Sequence, residues 1–184
     1  MMVNPIKIKD KKYGEILLSG DYDITLGWCP IIEIDDLVSE EFKNTLTGDS
    51  LYKLESTLNL NVTYKAVNNE EHNDTIKTTS YFFGKNLYPV YSKIESNTTY
   101  LGLKEGKPEI TESSSIDEII YDIDKYSISR KNSSSERKEE INQTNEYDYK
   151  QGTVIDNSIL LFALENYAVE KSYTKTLSVI SSTL

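Results

Sequence analysis

One cysteine, Cys29, and one histidine, His72, stand in a chain of 184 residues. That scarcity excludes a disulfide framework, a Cys/His zinc cluster and any nucleophile-histidine dyad that does not use His72. Arginine is almost as scarce, Arg130 and Arg137 being the only two, and 30 Asp plus Glu against 20 Lys plus Arg leave a formal net charge of -10. A chain of that sign lacks the electrostatic footprint of a phosphate binder, so direct nucleic-acid binding is not expected. Neither G-x-x-x-x-G-K-[ST] nor G-x-G-x-x-G occurs, which argues against a nucleotide site, and no G-x-S-x-G elbow presents a serine nucleophile. Apolar runs are short. The longest, Ile159 to Leu164, is far below the roughly 20 residues of a membrane-spanning helix. Met1 to Lys7 holds no apolar segment of the secretory kind, and no leader is expected.

What is present is polar but globular, with 38% apolar and 27% charged residues. The length suits one domain, or one domain with an extended arm. Nineteen Ile, 18 Lys, 14 Asn and 14 Tyr against three Ala and two Arg follow AT-rich codons, so the low alanine count says little about helix content. The five Asn-x-Ser/Thr sequons, beginning at Asn61, Asn73, Asn97, Asn132 and Asn142, are expected from such a composition.

Periodicity predicts a β-rich α+β fold: an antiparallel sheet or partial barrel with about two short helices and a flexible inserted segment near 130-150. Short strands are expected at 6-8, 15-19 and 22-28, the last ended by Cys29-Pro30. Tyr52, Leu54, Leu58, Leu60, Val62, Tyr64 and Ala66 alternate with polar residues and predict a long amphipathic strand. A polar loop, 68-74, would return it into a strand at 75-83, closing a hairpin. Two more short strands at 87-94 and 99-103 precede a turn at Glu105-Gly106-Lys107-Pro108. Helices are predicted at about 36-46, from the Val38, Phe42, Leu46 stripe, and at about 116-126. The second begins with the capping box Ser115-Ile116-Asp117-Glu118 and continues the Ile116, Ile119, Ile120, Ile123 pattern. The organisation expected is a β-rich domain over 1-129, a flexible linker or loop over 130-150, and a C-terminal segment over 151-184 that packs back on the domain or on a neighbour.

Candidate chemistry is thin. His72 with Glu70, Glu71 and Asp74 matches no calcium-loop template and reads as a solvated hairpin loop. Asp21, Asp23, Asp35 and Asp36 could supply a carboxylate pair, yet nothing selects two among 30 acids. No catalytic residue, metal or cofactor is therefore expected, and the chain is not expected to be an enzyme. Tyrosine offers an apolar body with a polar tip, and Tyr81-Phe82-Phe83 lies near the amphipathic strand in the predicted hairpin. The interface candidates are Tyr52, Leu54, Leu58, Leu60, Val62, Tyr64, Tyr81, Phe82 and Phe83.

These observations lead to a structural or assembly protein that works through subunit contacts, as a homo-oligomer and with neighbouring virion proteins. A virion component of a tailed phage with an AT-rich genome, such as a head-to-tail connector ring or a tail protein, is the setting expected, with assembly in the host cytoplasm. No motif diagnostic of a phage family occurs. The charge distribution, +2 over residues 1-20 and -7 over 21-60, suits contact between copies. The alternative is a small acidic protein of the cytoplasm, an immunity protein or inhibitor that binds a basic enzyme.

Overall fold

The computed structural model describes residues 2-13, 16-30, 40, 51-83, 88-122, 127-135, 141-146, 154-156 and 178-180. Eight strands form one antiparallel sheet in strict chain order: β1 (Met2–Tyr13), β2 (Ile16–Trp28), β3 (Leu51–Tyr64), β4 (Glu70–Phe83), β5 (Tyr88–Lys104), β6 (Lys107–Asp122), β7 (Ser127–Ser134) and β8 (Ile141–Glu146). Two short strands, β9 (Val154–Asp156) and β10 (Ser178–Ile180), pair in parallel, and β9 lies against β5.

Period-two alternation places Leu54, Leu58, Val62 and Tyr64 of β3 on one face, opposite Ser80, Ile76, His72 and Glu70 of β4. Leu54, Val62, Tyr64, Phe82 and Ile119 are buried on this face. At the end of the sheet where β3 begins, the opposite face is buried as well, through Leu51, Tyr81, Phe83 and Tyr91. The buried Ser80 and Ser92 pair Oγ to Oγ, as do the half-buried Ser96 and Ser115, both at 2.7 Å. Such pairing removes the cost of burying a hydroxyl without a partner.

Two turns rest on backbone that few residues adopt. Between β3 and β4 a 3-10 turn, Lys65–Val67, leads into Asn68 and Asn69, with φ of 54° and 59°. Asparagine tolerates this left-handed region because its short amide bonds locally. Between β5 and β6, Glu105 and Gly106 have φ of 51° and 78°, the signature of a two-residue type I′ turn. The first turn leans over the sheet towards β6, so the sheet curls.

Several expectations need correction. The helix predicted at 116-126 is strand throughout β6, up to Asp122, and its supposed cap Ser115 pairs across the sheet with Ser96. The long β5 edge offers a ladder to every residue from Lys107 to Ile120, which outweighs a marginal 11-residue helix. The helix predicted at 36-46 lies outside the described residues apart from Glu40, whose backbone is helical. Among the described residues, that position and the 3-10 turn are the only helical backbone. Strand β2 runs unbroken through Gly20-Asp21, β5 joins the two strands expected at 87-94 and 99-103, and the loop expected at 68-74 shrinks because β4 starts at Glu70. In the stretch 130-150, expected as a flexible insert, β7 and β8 continue the sheet over 130-134 and 141-146.

Candidate interaction surface

The feature that departs from a plain meander is a fork. Pairing of β4 with β5 stops at Thr75 and Asn97, and pairing of β6 with β7 stops at Ser115 and Ser134, with one further bond from Ser135 N–H to the Ser114 carbonyl. Strands β5 and β6 remain paired beyond both limits as far as Lys104 and Lys107. Residues 98-113 therefore leave the sheet as a two-stranded arm.

Three side chains hold its base. The Tyr64 hydroxyl donates to Thr99 Oγ1 at 2.9 Å, and Thr99 donates both its hydroxyl (2.8 Å) and its backbone N–H (3.0 Å) to Asp74 Oδ1. The buried carboxylate thus takes the place of the missing β4 backbone where the strands part. Burial is the main force that raises the Tyr64 pKa above the ordinary phenol value; the Asp74 charge adds to it and the Thr99 bond opposes it.

On one face of the arm Leu101 lies opposite Ile110 and Leu103 opposite Pro108; on the other are Tyr100, Gly102, Lys104, Glu109 and Thr111. Leu103 is 78% exposed and Tyr100 is also exposed, while Lys104 Nζ pairs with Glu109 Oε1 at 3.1 Å. At the opposite end of the sheet Trp28 is 69% exposed, its ring centroid 4.4 Å from that of Tyr52.

Two open clefts lie at the base of the arm. One, of about 570 Å³, lies between residues 71-74 of β4, 97-99 of β5 and 112-114 of β6. The other, of about 390 Å³, is lined by Glu95, Asn97, Ile116 and serines of β5, β6, β7 and position 135. His72 borders the larger cleft from a strand position, its Nε2 2.9 Å from Glu70 Oε1 and its ring edge-on to Tyr64. Among the described residues no three His, Cys, Asp or Glu side chains gather as a metal site, and no buried side-chain polar atom lacks a partner. Asp21 and Asp23 are exposed on β2, and Asp35 and Asp36 lie outside the described residues.

Of the interface candidates, Leu54, Val62, Tyr64, Tyr81, Phe82 and Phe83 are buried, and Tyr52, Leu58 and Leu60 are half-buried. Both edges of β3 are occupied within the chain, by β2 and β4, so that strand has no edge for a neighbour. The exposed apolar positions Trp28, Tyr100, Leu103 and Ile116 are not among these candidates. The Glu105-Gly106 turn was legible, but nothing in the local pattern says that the strands flanking the arm end early.

No protein-family model, curated protein or solved structure matches the chain. No helix among the described residues is long and apolar enough to cross a membrane.

Proposed function

We propose that the chain is a non-enzymatic structural or assembly protein that acts through contacts with other subunits. The supporting observation is the arm, which leaves the sheet, bares Leu103 and Tyr100, and keeps strand edges that neither β4 nor β7 occupies. An exposed apolar edge of this kind is a template for another chain, and folded proteins that do not use one usually blunt it. The setting we propose is a virion component of a tailed phage with an AT-rich genome, a connector ring or tail protein; its support is the composition and the β-rich fold.

The test is native mass spectrometry and sedimentation of the full chain over a wide concentration range. A discrete assembly of two or more copies supports the reading. A chain that stays monomeric at its solubility limit overturns it, and a one-to-one complex of that monomer with a basic protein would point to the inhibitor instead.

A further inference from the structure

We propose that the free β5 edge of the arm, residues 100-104, pairs antiparallel with the same edge of a second copy, about a two-fold axis at Gly102. The inference rests on the subunit-contact reading above and names the partner. Its starting point is the direction of the Thr99 N–H, which points sideways to Asp74, towards β4. Backbone groups alternate sides along a strand, so Leu101 and Leu103 turn their N–H and C=O the same way, beyond the point where β4 pairing ends. The turn geometry agrees: a two-residue hairpin closes on a hydrogen-bonded pair, here Lys104 and Lys107, which assigns the even positions of β5 to β6 and leaves the odd ones outside. Among the described residues these outward groups have no partner.

Other edges are less suited. On β6 the Ser114 N–H and C=O face Ser135, so even positions face outward there, and Pro108 has no N–H to give. Strand β1 carries Lys7, Lys9, Lys11 and Lys12 in its sequence, the residue type that most often guards an edge. Strand β8 is Ile-Asn-Gln-Thr-Asn-Glu. The β5 edge reads Tyr-Leu-Gly-Leu-Lys and is the apolar one.

Self-pairing satisfies this edge in a single register. Leu101 falls opposite Leu103 of the second copy in hydrogen-bonded positions, and Gly102 falls opposite Gly102. Thr99, already bonded to Asp74, marks where pairing stops. The apolar faces formed by Leu101, Leu103, Pro108 and Ile110 join into one four-stranded face, and on the other face Tyr100 meets the Lys104 ammonium of the second copy. Gly102 carries independent weight. A Cβ there would meet nothing nearer than the Glu109 carbonyl oxygen at 3.7 Å, so the single chain does not require glycine at a mid-strand position where glycine weakens a sheet. A glycine in a strand often marks the close approach of another backbone.

Two variants test the pairing. In a Cys29→Ser background, Gly102→Cys places one thiol on the axis, where a non-hydrogen-bonded pair brings Cα atoms to about 4.5 Å. Mild oxidation should convert it to a disulfide-linked dimer, whereas Glu112→Cys on the opposite edge should stay uncrosslinked. Leu103→Pro removes an outward N–H and no internal bond, and should raise the dimer dissociation constant at least ~100-fold with the melting curve of the monomer unchanged. If the wild type associates but Leu103→Pro associates equally well and Gly102→Cys crosslinks no faster than Glu112→Cys, the arm is not the contact and the assembly reading survives. A wild type that never associates sinks both.

Discussion

Arg130 grips Asp117 with two parallel bonds across β6 and β7, Nε to Oδ1 and Nη2 to Oδ2, each 2.8 Å. Asp117 is buried, and the guanidinium fork matches its carboxylate plane as a lysine ammonium cannot. Removal of the cation leaves a buried carboxylate facing the sheet interior. Arg130→Ala should therefore cost about 2-4 kcal/mol, and Arg130→Lys should recover less than half of that. The double replacement Asp117→Leu/Arg130→Leu should be milder than Arg130→Ala alone, because no charge is stranded. Urea midpoints at constant m-value measure all three, and a double variant worse than the single one would contradict the account.

At the fork, Asp74 is the acceptor for two donors of Thr99. Asp74→Ala should cost about 2 kcal/mol and should expose the Thr99 amide to exchange while amides of β6 near Ile119 keep their protection. Uniform loss of protection across the sheet would mean that the carboxylate supports the fold as a whole and not the base of the arm.

Two tyrosines set an alkaline limit. Burial first, and then the 2.8 Å bond to Glu118, hold the Tyr91 phenol well above its ordinary value of 10.0; burial also raises Tyr64. Above pH 10 the unfolded chain releases protons that the folded chain keeps. The contribution is thus complete below pH about 10 and is lost as pH rises through the folded values. Stability should fall as pH rises above about 10, by the measure of the urea midpoint, and Tyr91→Phe should flatten the decline. An identical slope in that variant would assign the loss to other groups.

Glycine substitutions should separate by position. At Gly20 a Cβ would overlap the Asn59 carbonyl oxygen and touch the Leu60 Cα, both backbone atoms that cannot swing aside. Gly20→Ala should cost about 3 kcal/mol or more. Gly106 has space for a Cβ but a φ of 78°, so Gly106→Ala should cost about 1 kcal/mol. Gly102→Ala should leave the monomer within about 0.5 kcal/mol of the wild type or stabilise it slightly. Thermal melts of the three in dilute solution give the order.

Legibility differed from element to element for physical reasons. The alternation from Tyr52 to Tyr64 was readable because a strand with one buried face repeats every two residues. Glu105-Gly106 was readable as a turn because its chemistry is local. From Ser115 to Asp122 the helical pattern misleads, since isoleucines at helical spacing behind a capping box also place Ile119 on one sheet face and Ile116 and Ile120 on the other. The interface candidates rest on amphipathicity, which marks a core strand and a docking strand alike. The arm was not readable at all. It exists because β4 and β7 stop pairing at Thr75 and Ser134, a property of neighbours distant in sequence.

The amino-acid sequence alone determined that the chain is acidic, β-rich, limited to one cysteine and one histidine, and supplied with one long amphipathic strand. These follow from composition and from periods shorter than one element. Only the tertiary structure decided that residues 107-122 are strand, that the β3 edges are closed and that an arm leaves the sheet at Asp74. Each of these depends on which backbone edges find a partner, and pairing between strands is a long-range choice that local propensity does not encode.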